Sequence, residues 1–223
     1  GSTLNVSVAF SLLGIEAHLS TIVGSDHSGK EMISFLSSKN VITDLVEVEK
    51  RTNNSYVIVY ESERTVLSYH EKRNYNKLKV AKSEIIYLSS AGQGSEVLVD
   101  KITSLLAQGS KLVFNPGSYE ISSFDLFRPL LDKTTLLILN RDEASTLFGE
   151  SHKVTDQLAN MLSSGTKVAV ITDAQNGAYF GTQIGNFHMN AASGKLVDPT
   201  GAGDAFAAGL TAEFTQSELS TFS

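Results

Sequence analysis

The stretch Asp198-Pro199-Thr200-Gly201-Ala202-Gly203-Asp204-Ala205-Phe206-Ala207-Ala208-Gly209-Leu210 sets a small-residue turn, a carboxylate and an apolar-periodic run in immediate succession. Phe206, Leu210 and Phe214 recur at i, i+4 and i+8, which predicts a helix. Ala205, Ala208, Gly209 and Ala212 give that helix surfaces that let a neighbour approach closely. It starts near Gly201 to Gly203, where backbone N–H groups lack intrahelical partners and the helix dipole is positive. Main-chain donors there can hold a phosphate, and Gly201 and Gly203 keep side chains out of its way. Asp204, in the first turn, carries a carboxylate able to take a proton from a hydroxyl placed beside that phosphate. An anion cradle of Gly201, Ala202 and Gly203 next to a base is what phosphoryl transfer needs. The same residues also read as an ordinary acidic first turn behind a tight glycine turn, so the stretch alone leaves both readings open.

The elements that would position this stretch alternate. Residues 4 to 13 read as a helix with Leu4, Val8 and Leu12 on one face and Gly14 as its stop. Ala17 to Val23 alternates like a strand, and Ser28 with Glu31 forms a capping box for a helix carrying Met32, Ile33 and Leu36. Ser55 to Tyr60 and Thr65 to Tyr69 are β-rich runs joined as a hairpin by Glu61-Ser62-Glu63-Arg64. Thereafter come a strand at Ile85 to Leu88, a helix at Ser95 to Leu106, a strand at Leu112 to Phe114 and a helix near Phe124 to Leu131. A strand at Thr135 to Leu139 leads into a helix ending at Gly149, capped by Asn140 with Glu143 three residues on. A strand at Lys167 to Thr172 and short strands at Tyr179 to Phe180 and Gln183 to Met189 complete the set. This alternation implies a parallel sheet covered on both faces, with right-handed crossovers.

Composition narrows the function classes. The 223 residues can bury a sizeable core, and 41% hydrophobic content with 3 prolines is neither disordered nor fibrous. A net charge of −6 argues against a nucleic-acid surface. There is no cysteine, hence no disulfide framework and no thiolate metal site, and a cytoplasmic protein is the simplest inference. No apolar run reaches membrane-spanning length, and no signal-peptide pattern opens the chain, so no membrane association is expected. Histidines 18, 27, 70, 152 and 188 form no metal-spaced pair.

The run from Asp198 to Leu210 resembles the C-terminal signature of the ribokinase-like (PfkB-type) carbohydrate kinases in every position that signature specifies. Other stretches match in the same order: Asn5-x-Ser7 with Gly14 and Gly24, the G-x-D-x-x-G loop from Gly24 to Gly29, and N-x-x-E at Asn140 to Glu143. The resemblance implies a three-layer α/β/α sandwich with a mainly parallel central sheet and a small β-sheet lid. Residues 1–40 and 80–223 would form the α/β nucleotide- and substrate-binding domain and 41–79 the lid. It implies a kinase that moves the γ-phosphoryl group of ATP to a hydroxyl of a sugar or related substrate. Asp204 would be the base and Gly201-Ala202-Gly203 the anion hole. It further implies that Gly1, Asn5 and Tyr69 touch the substrate, and that Asn140, Thr172, Gly177 and Thr200 touch the nucleotide. Glu143 would hold Mg²⁺ through water. Asp198, with Thr200, matches positions where some relatives bind K⁺ or a similar ion. An exposed lid edge would favour a homodimer through the lid.

Three departures from the family pattern accompany the match. Relatives carry, before Gly1, a strand with a substrate-gripping aspartate, and after Leu210 further helices, which leaves two expectations open: a full kinase extends past these residues, or the sugar site is incomplete. Relatives read T-x-G-x-x-G-A where this chain has Thr172-Asp173-Ala174-Gln175-Asn176-Gly177-Ala178, which adds a methyl group at Ala174. Tyr69, His70, Lys72 and Arg73 stand where relatives often have a glycine-containing, sugar-contacting turn, which leaves ribose, fructose, a deoxy sugar acid and adenosine all open as acceptors. These departures sustain an alternative, a catalytically silent member that binds sugar or nucleotide, which the intact Asp204 opposes. A nicotinamide-binding dehydrogenase fails, because no G-x-G-x-x-G follows an early strand.

Overall fold

The computed structural model describes residues 1–60, 63–194 and 198–216. Helix α1 (Ser2–Leu12) begins on Gly1, whose carbonyl accepts the N–H groups of Leu4 and Asn5 at 3.0 and 3.3 Å. Leu4 and Val8 pack on Leu19, Leu36 and Val41 as their spacing predicts. Leu12, expected on the same face, is 75% exposed, because the helix ends there and its last turn projects past that small cluster.

Strand β1 (Thr21–Gly24), α2 (His27–Ser38) and β2 (Val46–Glu49) follow, with β1 and β2 paired in parallel. The helix is not capped by Ser28. Asp26 is the N-cap and accepts the Gly29 N–H at 3.0 Å, while Glu31 lies 3.3 Å from the His27 ring. The Asp26 carboxylate also accepts the Thr52 hydroxyl at 2.5 Å and the Thr52 N–H at 2.9 Å. It therefore latches the start of the hairpin to the end of β1. These bonds, the Thr52 hydroxyl foremost, hold the Asp26 pKa down from 3.8 to about 2. A depressed carboxylate stabilises the fold fully above its unfolded value and loses that contribution as pH falls through the folded value. Asp26→Asn should therefore lower the melting temperature at neutral pH, and the gap to wild type should close between pH 3.8 and about 2, as read by melts across a pH series.

Strands β3 (Asn54–Tyr60) and β4 (Glu63–Tyr69) form a separate antiparallel pair with Asn54 opposite Tyr69 and Tyr56 opposite Leu67. Residues 61–62 of its turn lie outside the described residues. Tyr56, Ile58, Tyr60, Leu67 and Tyr69 are all exposed. The returning chain is gripped by Lys101, whose ammonium donates to the carbonyls of Tyr75, Asn76 and Leu78 at 3.3, 2.7 and 3.0 Å.

The remaining elements in order are β5 (Ile85–Ser89), α3 (Leu98–Leu106), β6 (Lys111–Asn115), α4 (Ser118–Ser122), α5 (Phe124–Phe127), β7 (Thr134–Asn140), α6 (Arg141–Phe148), α7 (Val154–Ser163), β8 (Val168–Thr172), β9 (Ala178–Thr182), β10 (Gly185–Met189) and α8 (Ala202–Gln216). The central sheet has six strands in the order β10-β9-β8-β7-β6-β5. Strands β5 to β8 are parallel, and β9 and β10 are antiparallel additions. Alternate residues of one strand face opposite layers. Leu137 and Leu139 pack with Phe114, Ile102, Phe127, Leu158 and Met161 on one side. Leu136 and Ile138 pack with Val113, Val170, Ala207 and Phe214 on the other. Burial on both faces explains why β7 reads as an unbroken apolar run. The result is the expected sandwich of helices on both faces of a mainly parallel sheet.

The single helix expected near Phe124 to Leu131 is instead α5 followed by a 3-10 turn, Arg128–Lys133, since Pro129 cannot continue an α-helical ladder. The helix expected from Ser95 opens as a 3-10 turn and becomes α-helical at Leu98.

Candidate active site

The parallel strands point their C-terminal ends, Ser89, Asn115, Asn140 and Thr172, to one rim of the sheet, where folds of this topology bind ligands. The N-terminal ends of α1 and α8 meet at the same rim. Thr3 Oγ1 donates to the Ser89 carbonyl at 2.8 Å, and two residues on, Asn5 Nδ2 donates to Asp204 Oδ2 at 2.7 Å.

Helix α8 is entered through Gly201 at φ +79°, a left-handed conformation that a side chain would strain. Its carbonyl accepts the Ala205 N–H at 2.8 Å, and the Pro199 carbonyl accepts the Ala202 N–H at 3.1 Å. Ala202 is thus spoken for. The N–H groups of Gly201, Gly203 and Asp204 have no hydrogen-bond partner among the described residues. A Cβ at Gly203 would meet nothing within 4 Å, and one at Gly201 would lie 3.9 Å from Asn5 Nδ2, so no described residue crowds the two glycines. The buried small face of α8 is Ala207, Ala208 and Ala212; Ala205 and Gly209, expected on it, are exposed. The reason is that the row Ala207, Thr211, Phe214 faces the sheet.

Asn140 and Glu143 cap α6 reciprocally: Glu143 N–H to Asn140 Oδ1 and Asn140 N–H to Glu143 Oε2, both 2.8 Å. Burial, opposed by the Asn140 N–H, raises the Glu143 pKa from its ordinary value. Its Oε1 carries no hydrogen bond among the described residues. Asn140 pairs with Thr172 across β7 and β8, and Gly177 closes the next turn, its carbonyl accepting the Asp173 N–H at 2.8 Å. Gly177 is required: at φ +89° a Cβ would fall 2.0 Å from the Met189 carbonyl oxygen. Asp198 Oδ1 accepts both the N–H and the hydroxyl of Thr200, at 2.8 and 2.6 Å.

Ala174, in the turn between Thr172 and Gly177, has φ +45°. The added methyl group is therefore held in a glycine conformation. Ala174→Gly should stabilise the protein by about 1 kcal/mol, or about 3 °C in Tm, in a thermal melt.

No hydrogen bond joins Tyr69 to Asp204 among the described residues. The Tyr69 hydroxyl donates to Glu71 Oε2 at 2.8 Å at the foot of the hairpin, and that bond chiefly raises its pKa. Two residues at the rim carry no signal in the short motifs. Tyr87 donates to Asn115 Oδ1 at 3.0 Å while Asn115 Nδ2 donates to the Ile138 carbonyl at 2.9 Å. Burial, then the charge of Asp204, keeps the Tyr87 phenol protonated. Glu120, fully buried, accepts the N–H groups of Gly92 and Gly117 at 2.9 Å each, tying the loops after β5 and β6 together. Gly117 with Glu120 three residues on, after a strand, is the one pattern that could have pointed to it.

A helix N-terminus with unpartnered donors and a carboxylate in its first turn thus lie together on the rim of a doubly covered parallel sheet, an arrangement suited to holding a phosphoryl group beside a proton acceptor. The family model described as pfkB family carbohydrate kinase matches residues 1–220, and the chain belongs to that family, an ATP-dependent sugar kinase in general terms. It is 26% identical over 214 residues to an uncharacterized sugar kinase of Archaeoglobus fulgidus, covering 91% of this chain and 84% of that one. It is 22% identical over 233 residues to the ATP-dependent 6-phosphofructokinase of Thermoanaerobacterium thermosaccharolyticum, covering 94% and 70%. Among solved structures, Arabidopsis thaliana ribokinase complexed with ribose and ATP aligns with a TM-score of 0.82 at 19% identity, over 97% of this chain and 75% of that one. Among the described residues no helix is long and apolar enough to cross a membrane.

Proposed function

We propose that the chain transfers the γ-phosphoryl group of ATP to a hydroxyl of a sugar or related acceptor bound between Asp204 and the lid. The observation that carries this is the Asn5–Asp204 hydrogen bond in front of the open α8 N-terminus. The acceptor oxygen attacks the γ-phosphorus, its proton passes to Asp204, and the bond to the β,γ-bridging oxygen breaks with ADP leaving. The N–H groups of Gly201, Gly203 and Asp204 would stabilise charge on the transferring oxygens. The Ala202 N–H would join them only on release from Pro199. Gly1 and Asn5 would orient the acceptor, and the β3–β4 hairpin, with Tyr69 at its foot, would exclude water as the lid of residues 41–79. Residues 1–40 and 80–223 are read as the domain that binds it.

Asn140, Thr172, Gly177 and Thr200 are read as the nucleotide side. No cluster of three or more His, Cys, Asp or Glu among the described residues could cage a metal. That fits Mg²⁺, which keeps its waters and is held by one or two carboxylates plus substrate phosphates. The Oε1 of Glu143 would accept from such a water, and Mg²⁺ when bound would neutralise phosphate charge. Asp198 would offer a monovalent cation its carboxylate in competition with Thr200. The exposed apolar side chains of the hairpin support a homodimer through the lid.

Release of ADP with Mg-ATP, coupled to a spectrophotometric assay, against ribose, fructose, 2-dehydro-3-deoxygluconate and adenosine tests the proposal. Turnover dependent on one acceptor is expected. Nucleotide binding with no turnover on any acceptor would favour the silent member.

A further inference from the structure

Arg73 lies in the stem that returns from β4 to β5, and it is 6% exposed. Its Nη2 donates to the Arg51 carbonyl and, at 3.2 Å, to Asn53 Oδ1. Its Nε and Nη1 are buried and have no hydrogen-bond partner among the described residues. No carboxylate pairs with the guanidinium among the described residues. Glu71, two residues away, is occupied by the Tyr69 hydroxyl at 2.8 Å and by Lys50 at 3.9 Å. A guanidinium cannot shed its charge by deprotonation, and a buried charge without a counter-ion is expensive. The two idle donors therefore call for an anion that the described residues do not supply.

The place is informative. A Cβ at Gly94 would sit 3.4 Å from the Arg73 carbonyl oxygen, and the Tyr75 hydroxyl donates to the Ala91 carbonyl. The stem thus rests on the loop that follows Ser89, the residue held by Thr3. On its other side, Asn53 follows Thr52, which is latched to Asp26 beyond the end of β1. Arg73 consequently sits where the lid stem crosses the C-terminal ends of β1 and β5, on the rim that carries Asp204. Asn53 is exposed, so solvent lies one side chain away. Basic pairs mark both stems of the hairpin, Lys50-Arg51 and Lys72-Arg73, in a chain whose net charge is −6.

We propose that Arg73 binds a carboxylate or phosphate on the acceptor, at the end remote from the hydroxyl that Asp204 deprotonates, so that the acceptor is an acidic sugar rather than a neutral one. This rests on the phosphoryl-transfer reading of the Asp204 site.

The test is calorimetry and steady-state kinetics on wild type, Arg73→Gln, Arg73→Lys and Asp204→Asn. The probes are 2-dehydro-3-deoxygluconate and fructose 6-phosphate beside neutral fructose and ribose, and the two anions separate a carboxylate site from a phosphate site. Wild type should bind one anionic sugar at least about tenfold more tightly than the neutral sugars, the scale of a single charge-assisted contact. Arg73→Gln should abolish that preference, Arg73→Lys should keep part of it, and Asp204→Asn should keep all of it. A merely structural tie would lower the melting temperature of Arg73→Gln and weaken anionic and neutral sugars equally. That result overturns the proposal, as does a neutral sugar turned over with a kcat/KM unchanged in Arg73→Gln, or the absence of Arg73-dependent anion binding. Anion binding that depends on Arg73 without ADP release would instead uphold the anion site and sink the kinase reading.

Discussion

Asp204→Asn should lower kcat for acceptor-dependent ADP release by about 10³-fold, the middle of the range for a positioned general base. The substitution is close to isosteric. The amide oxygen of the introduced side chain can still accept from Asn5 Nδ2, which in the wild type lies 2.7 Å from the Asp204 carboxylate, so the link between α1 and α8 survives. On the proposed role of Asp204, what is lost is the site for the hydroxyl proton. A negative charge in the first turn of a helix is worth only about 0.3–1 kcal/mol, so the variant should fold, with Tm within a few degrees of wild type. KM for both substrates should change little, because the interaction removed matters mainly in the transition state. A parallel fall in Tm and kcat would mean that Asp204 holds the fold instead.

The largest stability effect should come from Gly24→Ala. Gly24 is buried, and a Cβ there would fall 2.1 Å from the Thr52 backbone nitrogen and 2.4 Å from the Arg51 carbonyl carbon. Those atoms belong to backbone, which cannot rotate away as a side chain tip can. They are also fixed: Thr52 is bonded to Asp26, and its hydroxyl accepts the Gly24 N–H at 3.1 Å. Relief requires separating β1 from the hairpin stem, at a cost of about 3 kcal/mol or more, roughly 6–12 °C in Tm. Chemical denaturation of the two proteins checks this. A loss below about 0.5 kcal/mol, the size of an ordinary surface change, would show that the latch is not rigid. The stem also carries Arg73 through Asn53, so a surviving fraction of Gly24→Ala should show a raised KM for the acceptor.

The central sheet is legible in the sequence because strands buried on both faces leave continuous apolar runs such as Leu136 to Leu139. Helix α8 is legible through its periodicity, though not which small residues it buries, since that depends on the sheet it meets. Strand β2 is four residues long and pairs with a strand 25 positions earlier, so no local signal marks it. Helix α7 has the period Val154, Leu158, Met161 and a stop at Gly165, but Lys153 gives it no side-chain cap to announce its start. Capping at Asp26 rather than Ser28 follows from Thr52, a partner 26 residues away. The candidate site is legible as residue types, because a glycine turn before a carboxylate suggests an anion cradle beside a proton acceptor. Its pairing is not: Asn5 and Asp204 are 199 positions apart, and only the packing of α1 beside α8 joins them. Arg73 is likewise an ordinary basic residue in sequence, and burial alone makes its idle donors informative.

The most direct measurement follows the γ-phosphoryl label of ATP into the acceptor, with wild type and Asp204→Asn side by side and binding of both substrates measured on the same samples. Label should enter the acceptor with wild type and fall by about 10³-fold with the variant while both binding constants hold. Transfer at comparable rates by the two proteins would contradict the role of Asp204 as the base.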